Sequence, residues 1–415
     1  MSVAKELMRS FTSFRMTNSR FGTSAYPTLY IPSNPVLFLN MTDRDYMRSV
    51  LLLASRGRGN TSPNPMVGAI IVKRNRVIGK GYHKRVGSPH AETLALKEAG
   101  EKATDATIYV NLEPCCHRDK KTPPCTDAVI RAGVKKVVIG MVDPNPKVSG
   151  GGINILRKAG IKVITGILEE ESRRLNEAYI KYITTGIPFV ILKIASSLDG
   201  KIATGSGESK WITGEQSRKI VHRLRSEVDA VMVGIGTVLM DDPMLNVRLI
   251  KGRNPHRVIL DSQLKIPLTA RILNPELNLS LGLSHPVPSE SKTYIVTSSD
   301  APEDKIIALE KKGIRIIPVD SKEGYIDLPL LMKELGNIGI MSLMIEGGSE
   351  TNASALRAGI IDKVLIFLSP KIIGGSNSKG SVGGTSPKRL TDAMILKDLR
   401  FRRSGEDLLI EGYLR

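Results

Sequence analysis

The segment from His90 to Cys125 constrains this chain more than any other stretch. It contains the motifs HAE, PC and PPC in that order, and it holds all 3 cysteines of the 415-residue chain. One histidine and two cysteines supply the nitrogen and thiolate ligands that zinc takes in proteins. Three clustered cysteines cannot form a disulfide framework, so a metal site in a reducing compartment explains them better. The segment therefore predicts a zinc site built by His90, Cys115 and Cys125.

The residues around these ligands indicate a catalytic site. His90 and Cys125 each begin a predicted helix. At the start of a helix, the helix dipole favours the thiolate form of Cys125. Three protein ligands leave a fourth position for a water molecule, and Glu92 is placed to move protons, as in zinc deaminases. The alternative is a structural site with Cys116 or His117 as a fourth ligand, but such a site has no use for the glutamate. We interpret Cys116 as a packing residue.

Beyond this segment, strand-like and helix-like patterns alternate along the chain. This alternation predicts largely parallel sheets with helices on both faces. We predict three regions: an extension at 1–40, a first domain at 41–186 and a second domain at 187–415. The run EEESRRLNEAYIKYITTG is predicted to form one amphipathic helix that links the domains and ends near Gly186.

Residues 1–40 differ in composition from the rest. They contain one acidic residue, Glu6, with several basic and many hydroxylated residues. This composition is typical of a transit peptide, which would indicate an organelle. The alternative is a misplaced start, because Met41 opens a compact domain well, and the protein is then expected in the cytoplasm. In either case we expect a disordered extension.

The formal net charge of +19 favours anionic ligands, although a lysine-rich solvated surface would also explain it. Aromatic residues make up only 4% of the chain, and no basic stretch is interleaved with aromatics for base stacking. The charge therefore makes a phosphate ligand such as a sugar phosphate or NADP plausible, and we expect no nucleic acid. No apolar run approaches the roughly 20 residues that span a bilayer, so no membrane contact is expected. A nucleic-acid-binding zinc protein and another nucleotide or tRNA deaminase remain alternatives.

The second half of the chain gives a weaker indication of a binding site than the segment from His90 to Cys125. GIGT at 234–237 begins like a dinucleotide-binding loop but lacks the third glycine of that motif. The run EGGSETNASAL places two glycines before a predicted helix, with Ser349 as its expected N-cap. Exposed N–H groups at such a helix start bind phosphate. A glycine turn that only caps a helix is the alternative.

Several motifs together resemble the bifunctional riboflavin-biosynthesis deaminase/reductase family. They are PNPMVGAIIV, NLEPCCHRDKKTPPCTDAVIRAGV, LKIASSLDGKIATGSGESKWIT and MIEGGSETNASAL, and the resemblance covers residues 41–415. It implies a cytidine-deaminase-like three-layer α/β/α domain followed by a dihydrofolate-reductase-like α/β domain. It implies zinc-dependent removal of the 2-amino group of a diaminopyrimidine ribosylamine phosphate, then NADPH-dependent reduction of ribosyl to ribityl. One departure is visible, since the family often has one residue fewer between the ligand cysteines.

The resemblance also implies site residues in the second domain. NADPH would be held by Ala195, Trp211, Thr237, Asp241, Ser262, Gly348, Ser349, Glu350, Thr351, Asn352, Ala353 and Ser354. The phosphorylated pyrimidine substrate would be held by Ser209, Arg225, Leu245, Arg248 and Glu346. Lys193, in the run LKIASSLDG, is a further candidate to face the sugar of the substrate. Arg225 and Arg248 are suited to fork onto a 5′-phosphate. Trp211 offers a flat face to a ligand. The alternative is that Trp211 is a core or lid residue. We further expect a homo-oligomer.

Overall fold

The structure is a computed structural model, and it describes residues 41–118, 123–274, 291–322 and 325–414. The predicted extension at 1–40 lies outside the described residues, as does part of the loop between Cys115 and Cys125. Across the described ranges, no helix combines the length and apolar character needed to cross a membrane.

The first sheet has five strands in the order β2-β1-β3-β4-β5. Strands β3, β4 and β5 are parallel, whereas β1 is antiparallel to both of its neighbours. The prediction of a largely parallel sheet is therefore only half right here, because the β1–β2 hairpin reverses the chain at the sheet edge. The strands are β1 (Gly68–Lys73), β2 (Arg76–Tyr82), β3 (Thr107–Leu112), β4 (Lys136–Met141) and β5 (Lys162–Thr165).

Helices cover both faces of this sheet. Alternate strand residues point to opposite faces, so Ile71 joins one apolar cluster and Ile70 joins the other. The first cluster includes side chains of α2, α3 and α4, and the second includes side chains of α1. The sheet therefore lies between two layers of helices, which gives three layers in all. The helices are α1 (Asp43–Ser55), α2 (Ala91–Ala99), α3 (Cys125–Arg131), α4 (Gly151–Lys158), α5 (Glu169–Leu175) and α6 (Glu177–Thr185).

Two glycines fix the position of α2, which carries His90 and Glu92 at its start. A Cβ atom at Gly79 would lie 2.2 Å from the Ala95 carbonyl oxygen, and one at Gly81 would lie 2.4 Å from that of Ala91. Only glycine allows the helix backbone to approach β2 this closely. The start of α2 is thereby held against the strand.

The linking segment forms two helices, which corrects the prediction of one. The helix is broken at Asn176, whose backbone leaves helical geometry with φ −110° and ψ 21°. Its side chain accepts a hydrogen bond from the Met66 N–H at 2.8 Å and donates to the Met66 carbonyl at 3.0 Å. These contacts with a distant loop override the local helical pattern.

The second sheet has nine strands in the order β10-β9-β8-β7-β13-β6-β14-β16-β15. The strands from β10 to β14 in this order are parallel, and β16 and β15 add antiparallel strands at one edge. The strands are β6 (Phe189–Ser197), β7 (Ala230–Gly234), β8 (His256–Leu260), β9 (Thr293–Thr297), β10 (Arg315–Pro318), β13 (Ser342–Ile345), β14 (Lys363–Ser369), β15 (Lys397–Ser404) and β16 (Asp407–Tyr413). A separate two-stranded sheet contains β11 (Ser321–Lys322) and β12 (Tyr325–Ile326).

Among the described residues of this region, five helices accompany the sheet, and two differ from the sequence prediction. Helix α8 begins at Ile235 inside the GIGT run, where no helix was predicted. Helix α11 has Gly348 as its N-cap, so Ser349 is its first helical residue and not the cap. The helices are α7 (Glu215–Glu227), α8 (Ile235–Asp241), α9 (Glu303–Glu310), α10 (Leu328–Asn337) and α11 (Ser349–Arg357).

Side chains of the linking helix α6 tie the first sheet region to the second. Lys181 lies 2.6 Å from Asp362, and Glu177 lies 3.0 Å from Lys363. The Ser62 hydroxyl, on the loop before β1, donates to the buried Asp229 carboxylate at 2.9 Å. Helix α6 and the loop before β1 both contribute residues to the first cavity described below. These contacts therefore attach two sides of that cavity to the second sheet region.

Candidate active sites

The three zinc ligands predicted from sequence lie together. His90 is the N-cap of α2, Cys125 is the first residue of α3, and Cys115 follows the end of β3. His90 Nδ1 lies 3.2 Å from Cys125 Sγ and 3.6 Å from Cys115 Sγ. The Cys125 backbone N–H points to Cys115 Sγ at 3.4 Å. All three ligand atoms lie within 4.8 Å of one another.

This donor set fits a zinc ion. One imidazole nitrogen and two thiolates are characteristic of zinc sites in which three protein ligands leave a position for water. Within the part of the chain that the structure describes, the group consists of His90, Cys115 and Cys125 alone. Cys116 Sγ instead lies 4.0 Å from the Val148 carbonyl oxygen, which favours its interpretation as a packing residue.

Glu92 lies in the first turn of α2 and is 3% exposed. Burial, together with the nearby Cys115, raises the pKa of its carboxyl above the ordinary value. A bound divalent cation would act in the opposite direction. Glu92 lines the same cavity of about 500 Å³ as His90 and Cys115, so its carboxyl faces the space where a substrate would meet a metal-activated water.

The sequence interpretation missed several polar residues in this cavity. Asn64 Nδ2 lies 3.1 Å from His83 Nε2, and burial lowers the pKa of His83. The Tyr179 hydroxyl donates to Asp143 at 3.0 Å, and burial raises the pKa of Asp143 to about 6. Asn64 was visible only as part of a turn-rich loop, and Tyr179 only as part of the linking helix.

In the second sheet region, two adjoining cavities of about 640 and about 630 Å³ form one cleft. The cleft opens beyond the carboxyl ends of β7 and β13, where ligands bind in open parallel sheets. The residues shared by both cavities are Ile202, Ser209, Thr237, Asp241 and Gly348.

A buried ion cluster lies on the floor of the larger cavity. Glu346 follows β13, and it lies beside Lys193 because Ile345 pairs with Leu192 of β6. Arg225 contacts Glu346 through Nε at 2.6 Å and Nη2 at 3.0 Å, and Lys193 Nζ lies 3.3 Å from the same carboxylate. Burial alone would raise the pKa of Glu346, but the two cations lower it to about 2. The carboxylate is therefore ionised at neutral pH.

This cluster changes the expectation for Arg225. The Nε and Nη2 atoms, which form the bidentate edge of its guanidinium, already contact Glu346. Its Nη1 donates to the Asn246 carbonyl at 3.1 Å. In this structure the edge of Arg225 expected to fork onto a phosphate therefore faces a protein carboxylate. The Arg248 Nη1 donates a hydrogen bond to Asn246 Oδ1 at 3.1 Å.

Trp211 lies at the rim of the same cavity with 56% of its surface exposed, so it is not a core residue. The Arg218 guanidinium lies 4.6 Å from its ring centroid, a cation–π arrangement that fixes the ring. Trp211 thus presents a flat face to the cleft. Arg218 and Arg271, which also line this cavity, were missed in the sequence.

Almost all residues implied by the resemblance line the cleft. The larger cavity has Lys193, Ala195, Ser209, Trp211, Arg225, Thr237, Asp241, Leu245, Arg248, Glu346, Gly348 and Asn352. The smaller cavity adds Ser262, Ser349, Glu350, Thr351 and Ser354, which cluster mainly at the start of α11. Ala353 is buried and lines neither cavity. The role of each residue remains a prediction.

Comparison with known proteins matches both halves. The cytidine and deoxycytidylate deaminase zinc-binding region matches residues 40–141, and the RibD C-terminal domain matches residues 188–410. The riboflavin biosynthesis protein RibD of Aquifex aeolicus is 44% identical, covering 89% of this chain and 97% of that protein. The Escherichia coli RibD is 39% identical, covering 89% of this chain and 99% of that protein.

Solved structures agree. RibD of Acinetobacter baumannii superposes with a TM-score of 0.78 at 37% identity, covering 90% of this chain and 99% of that one. The Thermotoga maritima protein described as a diaminohydroxyphosphoribosylaminopyrimidine deaminase/5-amino-6-(5-phosphoribosylamino)uracil reductase has a TM-score of 0.76 at 37% identity, with the same coverage. Because each superposition covers 90% of this chain, the likeness extends through both sheet regions. The chain therefore belongs to the RibD family of riboflavin biosynthesis and joins a zinc-dependent deaminase to a reductase.

Proposed function

We propose that the two sites carry out successive steps on one phosphorylated pyrimidine. The first removes an amino group by hydrolysis from 2,5-diamino-6-ribosylamino-4(3H)-pyrimidinone 5′-phosphate. The second uses NADPH to reduce the ribosyl group, giving 5-amino-6-ribitylamino-uracil 5′-phosphate. The observation that carries this proposal is the presence of a histidine–cysteine–cysteine group and a separate cation-lined cleft in one chain.

In the first site, we assign His90, Cys115 and Cys125 to zinc. Zinc, when bound, would lower the pKa of a water molecule so that hydroxide is available to attack the ring carbon. Glu92 is placed to take one proton from this water and pass it to the ring nitrogen, and then to carry the second proton, from the hydroxyl group added to the ring carbon, to the departing ammonia. Water is consumed and ammonia is released, so the step needs no other reactant. The assignment is supported by the burial of Glu92 in the cavity that also contains the ligands.

In the second site, we assign the smaller cavity and the start of α11 to NADPH and the larger cavity to the substrate. NADPH, when bound, supplies the hydride. The N–H groups at the start of α11 favour an anionic group of the cofactor. Lys193, held by Glu346 at 3.3 Å, is placed to donate a hydrogen bond to the sugar. Arg248 is suited to the 5′-phosphate, while Arg225 holds Glu346 in position.

The cationic lining of the larger cavity supports a phosphorylated small molecule as ligand. We further propose that the protein binds neither nucleic acid nor membrane, works in the cytoplasm and assembles as a homo-oligomer. These three statements remain predictions. The matched relatives do not favour the alternative of a tRNA deaminase with an appended domain.

The test is an assay of the purified chain with the diaminopyrimidine substrate, followed for ammonia and NADPH separately. Ammonia should appear without NADPH, and NADPH should be consumed only after deamination. Consumption of NADPH without prior ammonia release would contradict the proposed order.

A further inference from the structure

His222 lines the larger cavity but was assigned no role by the motifs. It lies on α7 between Arg218 and Arg225, at helical spacings of four and three residues, so the three side chains share one face of the helix. All three line the cavity, and His222 is 4% exposed. A histidine buried among guanidinium groups at a ligand cavity needs a physical explanation.

Its hydrogen bonding fixes the proton on one ring nitrogen. The backbone N–H of Arg248 donates to His222 Nδ1 at 3.1 Å. A neutral imidazole that accepts at Nδ1 carries its proton on Nε2. Among the residues that the structure describes, none hydrogen-bonds to that Nε2–H.

The surroundings keep the ring neutral. Burial, and then the charges of Arg225 and Arg248, lower the pKa of His222 to about 3, against the weaker opposing effect of Glu346. Lys193 acts in the same direction as the arginines. The ring is therefore a hydrogen-bond donor that adds no charge to a pocket already rich in cations.

We propose that His222 binds the phosphate group of the reductase substrate through its Nε2–H, beside the Arg248 guanidinium. The proposal rests on the assignment of this cavity to the substrate. The bidentate edge of Arg225 is occupied by Glu346, so a phosphate near Arg248 needs a further donor. His222 supplies that donor and at the same time holds the Arg248 backbone, which makes it a specificity-determining residue for phosphorylated substrates.

Two substitutions separate these functions. In His222→Gln, the side-chain amide replaces the Nε2–H donor but leaves no acceptor at the Nδ1 position. In His222→Asn, the amide oxygen replaces Nδ1 and still accepts from Arg248, but the Nε2 donor is lost. Each variant is assayed for NADPH oxidation with the deaminated substrate, both phosphorylated and dephosphorylated.

For the phosphorylated substrate, His222→Asn should raise KM about tenfold or more with kcat retained, because a hydrogen bond to a charged group is lost. His222→Gln should raise KM less than His222→Asn does, because it keeps the donor to the phosphate and loses only the hydrogen bond from the Arg248 backbone. With the dephosphorylated substrate, His222→Asn should match the wild type. Any other pattern overturns the proposal, including rescue by asparagine but not glutamine, or an equal loss with both substrates.

A measurement on the wild-type protein tests the proposal even if the variants fail to fold. Inorganic phosphate should shift the ¹⁵N resonance of the His222 Nε2–H in histidine-labelled protein, and an unchanged resonance at saturating phosphate would overturn the proposal. Failure of the proposed function is separately recognisable. In that case the wild type itself would not oxidise NADPH with the deaminated, phosphorylated substrate.

Discussion

Replacement of Glu346 by glutamine tests the buried ion cluster of the reductase site. The side chains of Glu346, Arg225 and Lys193 are only 7%, 11% and 15% exposed. Glutamine keeps the shape of glutamate but leaves the two cations without their counter-charge. Removal of one partner from a buried ion pair typically costs about 3–5 kcal/mol.

The pKa of Glu346 gives a second figure for this cost. Its pKa of about 2 lies below the ordinary value of 4.5, and each pKa unit corresponds to about 1.4 kcal/mol. The difference amounts to about 3 kcal/mol of stability at neutral pH. Because the folded pKa is lowered, this contribution is fully present above pH 4.5 and is lost as the pH falls towards 2. The two figures agree, and we expect Glu346→Gln to destabilise the reductase half by about 3 kcal/mol.

The assay is calorimetric unfolding combined with both activities. A loss of about 3 kcal/mol lowers the Tm of a region of this size by about 6–12 °C, and NADPH oxidation should fall while ammonia release continues. Glu310→Gln, at an exposed position on α9, is the matched control and should leave the Tm unchanged. A Tm change below about 2 °C, or a difference between variant and wild type that does not shrink between pH 4.5 and pH 2, would refute the reasoning.

Three further outcomes are expected. Cys125→Ser should abolish zinc binding, whereas Cys116→Ser should retain a full equivalent of zinc by elemental analysis; loss in both would make Cys116 a ligand. Gly59→Ala should lower the unfolding free energy by about 1–3 kcal/mol, because Gly59 has φ +76° and an added Cβ would lie 2.4 Å from the Ser226 carbonyl oxygen; an unchanged calorimetric Tm would contradict this. His222 has a folded pKa of about 3 against an ordinary 6.5, so protonation of the unfolded chain should destabilise the wild type as the pH falls between these values. Urea titrations should show a shallower fall for His222→Gln, and equal slopes would exclude a buried neutral ring.

The first site was predictable from sequence because its chemistry is local. His90 and Glu92 share one helix start, and the two ligand cysteines flank a single loop. Zinc ligation also restricts the residue types to a small set. A short motif was therefore enough to predict the candidate ligands, which the structure brings together, and to propose a proton carrier.

The reductase site was predictable only through resemblance. Glu346 lies 153 residues from Lys193 and 121 residues from Arg225 in the sequence. The contact with Lys193 depends on the parallel pairing of β13 with β6, and the contact with Arg225 depends on the position of α7. Nothing in the local pattern indicates that Arg225 is already paired with a carboxylate. The guanidinium edge of Arg225 that was expected to bind a phosphate therefore contacts Glu346 in the structure.

Local patterns failed where distant contacts decide the backbone. The linking segment has continuous helical periodicity, but Asn176 exchanges hydrogen bonds with Met66 and breaks it. Helix α8 was not predicted because glycine has a low helix propensity and two glycines, Gly234 and Gly236, lie at its start, although Gly234 serves as its N-cap. Propensity is a weak prior when tertiary contacts compete with it.

The central claim is that one chain carries two chemically independent sites, with Glu92 as the proton carrier of the first. The direct measurement is Glu92→Gln, assayed for ammonia release with the diaminopyrimidine substrate and for NADPH oxidation with the deaminated substrate. Ammonia release should be abolished while zinc content and NADPH oxidation match the wild type. Ammonia release at the wild-type rate would contradict the role of Glu92, and loss of both activities in the folded, zinc-loaded variant would contradict the independence of the two sites.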